Sequence, residues 1–303
     1  MLLDNIALFV QIVEKGSLAA AGREVGLSST TVSERLAALE AHYGVVLLNR
    51  TTRVISLTDE GRTLIDGAKS VLGVVEDLDT RIRLGAQTLS GPIRVSAPSD
   101  LGQAVVVPEV NRFLEEHEAV SIELLLTDGY VDVVGEGVDI ALRFGPIADS
   151  TLRVRPLGAR QRIVCASPEY LDTHGTPTRP EDLEKHNCLV MRFGANLDNV
   201  WRFGPHGKHK IIAVSGDRTS NDGAVVRKWC LDGHGIAKKS EIDVGADIRA
   251  GRLVPLLGEY APPMTSLQML YPPSRAQPRR VRELADRLAS TLESLHHGSP
   301  ANR

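Results

Sequence analysis

Between residues 64 and 89, Leu64, Ala68, Val71, Val75, Leu78, Ile82 and Leu89 fall at alternating spacings of four and three, with Gly85 in the one remaining slot. Only an α-helix of about seven turns brings such positions onto one narrow seam. So long a helix with so thin a stripe cannot bury itself. It must pack along another element, either a second copy of the chain or its own N-terminal domain. Thr58 reads as its cap, Asp59 and Glu60 lie in its first turn, and Ser90-Gly91-Pro92 breaks it. A linker and dimerisation helix over 59–89 thus divides the chain into an N-terminal part, 1–58, and a C-terminal part, 90–303.

The N-terminal part reads as three short helices and a hairpin. Ile6, Phe9, Val10 and Val13 share one face of a first helix that ends near Gly16. Ser17 caps a second, with Leu18, Ala21 and Val25 inward and Gly26 as its stop. Ser28 or Ser29 caps the third, although Thr31 with Glu34 also reads as a capping box. Along that third helix Val32, Leu36, Leu39 and Tyr43 form a packed back, and Thr30, Ser33, Glu34 and Ala37 a thin polar front. Helix, glycine turn and helix is a helix-turn-helix pattern, and one helix with such a front suits a DNA major groove. Val46–Leu48 and Val54–Leu57 then make a small two-stranded wing, with Arg50 and Arg53 at its tip, where a phosphate or minor groove would lie.

Charge does not announce a nucleic-acid partner. The whole chain of 303 residues carries −3, and its first sixty residues hold five cations against seven carboxylates, a net −2. DNA binding must therefore rest on where a few arginines stand. The 42% hydrophobic content fits two or three full cores, and no run of eighteen apolar residues offers a membrane span. Met1–Asn5 lacks a basic-then-apolar leader, and Cys165, Cys188 and Cys230 are few, odd and far apart. These point to the cytoplasm and to packing cysteines rather than redox sensors.

Beyond Pro92 the texture changes to strands alternating with helices. Ile93–Ser96 reads as a strand, 97–100 as a loop, 103–116 as a helix, and Val120–Leu126 and Val138–Arg143 as strands. A second, similar unit starts near Arg160 with Ile163–Ser167 and continues through Lys210–Ser215, a helix over 222–231, and Gly235–Ala237. Leu267–Tyr271 and a helix over 279–295 close the chain. The reading is two α/β lobes, one about 92–161 with 268–296 and the other about 162–267. A cleft between strand ends is a common place for a small ligand.

At this point the chain resembles the LysR-type transcriptional regulators over essentially its whole length. The resemblance is carried by Phe9, Ser17, Ala20-Ala21, Leu27-Ser28, Val32-Ser33, Leu39-Glu40, Leu47-Leu48, Arg50-Thr51-Thr52-Arg53 and Leu57-Thr58 with Gly61. It continues more loosely in Gly91–Val95, Asp139–Arg143, Asn221-Asp222-Gly223 and Gly235-Ile236-Ala237. Lys239-Ser240 with Asp247 to Leu253 looks like a subgroup whose effectors include aromatic and small organic acids. The resemblance implies a winged helix-turn-helix, a linker helix for dimerisation and a two-lobed effector domain like a periplasmic binding protein. It also implies tetramers of paired dimers on promoter DNA, with no enzyme activity and no cofactor. Three departures stand out. Glu34 follows the Val-Ser pair where many relatives carry Arg or Lys, Leu48 stands where Phe is usual, and Lys238-Lys239 follows Ala237 where others stay apolar. A carboxylate at position 34 repels phosphate but can accept from a cytosine amino group.

The DNA-binding candidates are Ser28, Ser29, Thr30, Thr31, Ser33, Glu34 and Arg35, with Arg50, Thr52 and Arg53 from the wing. For an effector the candidates are Ser99 and Asp100 between a strand and a helix, Thr127 and Arg143 at strand ends, and Ser220, Asn221 and Asp222 at a helix start. Arg143 is the natural carboxylate partner by its bidentate geometry, and a structural ion pair is its alternative. Asp100 would oppose a carboxylate. His206 and His209 sit in a polar loop without acidic or cysteine companions, which makes a poor metal site. His296-His297 reads as a solvated end and 298–303 as a disordered tail. Two other functions stay open, a constitutive repressor without a ligand and a solute-binding or enzymatic α/β module.

Overall fold

The computed structural model describes residues 2–50, 55–84, 88–147, 151–204, 210–273 and 277–297. Thr52, Arg53, Gly85, the 206–209 histidine loop and the 298–303 tail lie outside them, as do the side chains of Arg50, His296 and His297. By internal packing the chain divides into two compact units, Met1–Gly91 with Pro273–Arg282, and Pro92–Pro272 with Glu283–Arg303.

In the first unit helices Leu2–Lys15, Leu18–Glu24 and Ser29–Tyr43 close on a core of Phe9, Ile12, Ala21, Val32, Leu36, Leu39 and Leu47. The caps follow local chemistry. Ser17 Oγ accepts from Ala20 N at 3.4 Å, and Ser28 Oγ from Thr31 N at 3.1 Å. Ser28, not Ser29, therefore caps the third helix. Gly44 ends it in a left-handed conformation, φ 69°. Between the second and third helices the backbones nearly touch: a Cβ on Gly22 would stand 2.6 Å from the Leu27 carbonyl oxygen. Two residues expected inward are exposed. Val25 lies beyond the last turn of its helix, and Tyr43 is the final helical residue before the chain turns at Gly44.

The wing is shorter than expected, Leu48–Arg50 paired antiparallel with Ile55–Leu57. Val46 is left exposed before it, and Arg50 is opposite Ile55 as the last strand residue rather than at the tip. Thr58 Oγ1 accepts from Gly61 N at 2.9 Å and so caps the helix Asp59–Leu84. Leu89 is buried but lies beyond this helix, which shortens the expected seam. The stripe also divides. Leu64, Ile65, Ala68 and Leu72 join the core of their own domain. Val71, Val74, Leu78 and Ile82 face solvent, the last two 53% and 73% exposed.

The second unit contains two sheets. In the first, the strand order is Val120–Leu126, Gly91–Ala97, Ile140–Phe144, Thr265–Tyr271, Arg153–Arg160. Gly91–Ala97 and Ile140–Phe144 run parallel, and Thr265–Tyr271 runs antiparallel to both its neighbours. The second is ordered Thr219–Ser220, Cys188–Phe193, Ile236–Ser240, Arg162–Ala166, Val254–Leu256, with Asn196–Leu197 on the side of Cys188–Phe193. A further antiparallel pair joins Val200–Phe203 to Lys210–Ala213. The chain thus enters the second sheet just after Arg160 and returns to the first by Thr265. Trp201, Phe203 and Leu183 fill one core of the second lobe.

Three expected boundaries are corrected. The strand read as 138–143 is Ile140–Phe144, and that read as 210–215 stops at Ala213. The segment 97–100 is not all loop: Ser99–Leu101 is already helical and runs through a π segment, Gly102–Val106, into Val107–Glu116.

All three cysteines are buried and free. Cys230 Sγ donates to the Cys165 carbonyl at 3.4 Å. Burial alone pushes the Cys188 thiol up to about 12, while the Cys230 hydrogen bond and burial raise Cys165 well above its ordinary value. Since the thiolate is the reactive form, native protein at pH 8 is expected to leave all three thiols unlabelled by a disulfide reagent such as Ellman's, with three per chain appearing in guanidinium. A thiol that reacts rapidly in the native protein would contradict this.

Candidate functional site

On the third helix Ser28, Ser29, Thr30, Glu34, Ala37 and Ala38 are exposed, and Thr31, Ser33 and Arg35 are half-buried. Its back is sealed by Val32, Leu36 and Leu39. The front is therefore a strip of short polar side chains and alanines that lets the helix backbone approach another surface closely. Three of the expected contact residues already have work within the chain. Ser28 and Thr31 bond to each other at 2.9 Å as part of the cap, and Arg35 lies close enough to Asp4 to attract its carboxylate. Among the described residues, the side chains of Ser29, Thr30, Ser33 and Glu34 are not engaged in this way. The first backbone N–H groups of the helix face outward without helical partners, as at any helix start.

The effector candidates come from both lobes of the second unit. From the first lobe, Arg143 follows Leu142 on a central strand and is half-buried. Its guanidinium donates to the Leu142 carbonyl at 2.6 Å and to Ser96 Oγ at 2.7 Å. Ser96, itself fully buried, donates onward to the Leu125 carbonyl at 3.1 Å. Burial lowers the pKa of Arg143, and the charges of Asp128 and Glu136 pull it back up. Thr127 Oγ1 accepts from Gly129 N at 3.1 Å, shaping the loop that presents Asp128.

From the second lobe, Asp222 caps the helix Gly223–Leu231 by accepting from Ala224 N at 2.8 Å and Val225 N at 3.3 Å. Ser220 Oγ accepts from Asp222 N at 3.0 Å, and Asn221 is exposed between them. Ser220 and Asp222 are thus partly committed to forming the turn. Ser99 is buried at the start of its helix, and its neighbour Asp100 does not point to solvent. The Asp100 carboxylate crosses to the second lobe and accepts from Lys239 Nζ, which also donates to the Gly223 carbonyl at 3.0 Å and lies 3.5 Å from Asp243. Burial pushes the Asp100 carboxyl up and Asp243 adds to this, while Lys239 opposes it. Lys239 loses hydration by burial, yet the two carboxylates beside it hold its pKa above the ordinary value.

In the sequence Lys239 stands out only as part of a subgroup resemblance and of the Lys238-Lys239 departure, and nothing there marks Ser96, Asp128 or Asp243 as site residues. Strand alternation separates the two lysines. Lys239 reaches Asp100 of the first lobe, whereas Lys238 pairs with Asp198 at 3.0 Å and stands over the Trp201 ring at 5.3 Å. Among the described residues no group of His, Cys, Asp and Glu is arranged to hold a metal ion, and no helix is long and apolar enough to cross a membrane.

Two family models match, a bacterial regulatory helix-turn-helix protein of the lysR family over residues 3–62 and a LysR substrate binding domain over residues 86–293. The chain is 35% identical to the HTH-type transcriptional regulator DmlR of Escherichia coli strain K12, over 86% of this chain and 85% of that protein. It is 34% identical to the regulator CrgA of Neisseria meningitidis serogroup C, over 95% and 96%. The solved structure of CrgA, a LysR-type transcriptional regulator from Neisseria meningitidis, superposes with TM-score 0.59 at 31% identity, covering 98% of this chain and 99% of that one. Full-length LysG of Corynebacterium glutamicum, solved with bound effector Arg, shares the fold with TM-score 0.70 at 19% identity, over 97% and 99%. The chain belongs to the LysR-type transcriptional regulators, with a DNA-binding helix-turn-helix at its N-terminus and an effector-binding α/β domain behind it.

Proposed function

We propose that this regulator is a cytoplasmic homodimer, assembled further into a tetramer, that reads promoter DNA with Ser29–Tyr43 and answers to a small aromatic or hydroxy carboxylic acid held between its two lobes. In this reading 1–58 binds DNA, the helix that follows dimerises, and 90–303 binds the effector without catalysing a reaction. Ser29, Thr30, Ser33 and Glu34 face base edges, and the wing residues Arg50, Thr52 and Arg53 hold phosphates. The solvent-facing stripe of Leu78 and Ile82 supports the dimer. The observation that carries the effector half is Arg143. A half-buried guanidinium aimed at a carbonyl and a hydroxyl, with no carboxylate among its hydrogen-bond partners within the described residues, leaves donors suited to an incoming acid.

A panel of aromatic and hydroxy acids should contain a compound that raises the melting temperature, because a ligand of the folded state stabilises it. Arg143→Ala is then expected to weaken that compound roughly 10- to 100-fold by calorimetry, the scale of a charge-assisted pair of hydrogen bonds. Unchanged affinity would remove Arg143 from the site. A repressor that needs no ligand is favoured by one observation, the Asp100–Lys239 pair already spanning the cleft; a panel without any stabilising acid would select it.

A further inference from the structure

We propose that Asp100 and Asp128 are internal substitutes for the acid groups of the effector, and that a small dicarboxylate enters the cleft by displacing them from Lys239 and from the Gly223 amide. The inference rests on the cleft reading above and names the chemistry of that site. The second lobe presents two donors there. One is the ammonium of Lys239, 5% exposed on strand Ile236–Ser240, and the other is the N–H of Gly223, the first residue of a nine-residue helix. Each is engaged by a carboxylate of the first lobe. Asp100 Oδ2 accepts from Lys239 Nζ, and Asp128 Oδ2 accepts from Gly223 N at 2.7 Å. The two carboxylates converge on one point. A Cβ built on Gly223 would lie 3.2 Å from both carboxylate oxygens and 2.7 Å from Lys239 Nζ, so the three charged groups meet against the bare glycine and a larger residue would push them apart. An ammonium and a helix-start amide receiving two carboxylates from one side is the pattern a dicarboxylate would make.

The geometry also allows the exchange. All four groups belong to opposite lobes in donor–acceptor pairs, so parting the lobes releases both donors together. Lys239 does not lose its only counter-charge when Asp100 leaves, because Asp243 stays within 3.5 Å. That second carboxylate has an oxygen, Oδ1, buried without a hydrogen-bond partner, so the cluster holds more carboxylate than one ammonium can satisfy. Displacing Asp128 likewise takes away a negative charge that acts on Arg143. A carboxylate is exchanged for a carboxylate, and the ammonium stays paired throughout, which avoids the cost of an uncompensated buried charge.

The test titrates the full chain with sodium succinate, against sodium chloride of equal ionic strength, by calorimetry. Asp100→Asn and Asp128→Asn are each expected to bind succinate about tenfold more tightly than the unaltered protein, and Lys239→Met in the Asp100→Asn background is expected to lose that gain. Two separate carboxylates keep the question answerable if one variant folds poorly. Asn variants that bind succinate no more tightly, or not at all, overturn the displacement. If they gain nothing while Arg143→Ala still weakens an acid found in the melting panel, the cleft reading stands and the displacement alone falls. If the gain appears and Lys239→Met removes it, the displacement stands whatever Arg143→Ala does.

Discussion

Replacing Leu78 and Ile82 together by aspartate is expected to leave the chain monomeric and to cost at least 100-fold in affinity for promoter DNA. Both side chains are more than half exposed on a helix whose Leu64 and Ala68 are packed into the core of their own domain. In a two-fold interface each residue is buried twice, and at about 1.5–3 kcal/mol per Leu or Ile side chain the pair accounts for roughly 6–12 kcal/mol of association. Four carboxylates at that seam remove this contribution and repel one another. The exposed stripe runs on from an apolar groove of about 470 Å³ lined by Ile6, Tyr43, Val45, Leu64 and Val71, so the surface available to a second copy extends onto the DNA-binding head. The loss on DNA follows from charge. A head of residues 1–58 whose five cations are matched by five carboxylates has little general attraction for phosphate, and one recognition helix cannot replace two linked ones, whose joint binding gains on the order of 10²–10⁴. Sedimentation together with fluorescence anisotropy on the intergenic DNA upstream of the gene reads both effects. A variant that stays dimeric, or a monomer that binds as well as before, would remove the linker helix from this role.

What could be read beforehand was whatever nearby residues decide. Ser17, Ser28 and Thr58 cap helices through groups three residues away, and the 3.6-residue spacing of Val32, Leu36 and Leu39 is complete within two turns. The errors fall at element ends, where a turn outside the periodic stretch decides exposure: Val25 after a helix cap, Tyr43 before Gly44, Leu89 past the linker helix. Long-range pairing left almost no local trace. Arg153–Arg160 carries three arginines without clean alternation and is a strand because Thr265–Tyr271, more than a hundred residues on, supplies its partner. The cleft was legible in part for the same reason. Arg143 and the Asp222 turn follow from strand and helix ends. Asp100 and Lys239, 139 residues apart, meet only because two sheets bring their strand ends together. Asp100 looked like an argument against an acid ligand, and its partner explains why a carboxylate can sit there.

Asp247→Ala is expected to destabilise the effector unit by about 3 kcal/mol, the lower end of the cost of breaking a buried ion pair. The side chain is 1% exposed and takes donors on both oxygens. Arg227 Nε reaches Oδ2 at 2.7 Å, and Arg252 Nε and Nη2 reach Oδ1 at 2.9 and 2.5 Å. The Asp247 carbonyl further accepts from Arg252 N at 2.9 Å and Leu253 N at 3.3 Å, so one residue ties helix Gly223–Leu231, helix Glu241–Arg249 and the turn into strand Val254–Leu256. The lower end applies because the guanidiniums are not trapped. Arg252 is 58% exposed and can turn to water, and Arg227 is partly exposed. For the same reason Arg252→Ala should cost less than 1 kcal/mol, as exposed partners generally do. Arg227 stands one helical turn beyond Gly223, so the loss also frees the start of that helix to shift where it meets the cleft. In thermal unfolding a loss of 3 kcal/mol corresponds to a fall of about 6–12 °C for a unit of roughly 200 residues. Asp247→Asn, which keeps one acceptor and the shape, should fall between Asp247→Ala and the unaltered protein. If Asp247→Ala and Arg252→Ala melt at the same temperature, the buried carboxylate is not what holds these two helices and the turn together.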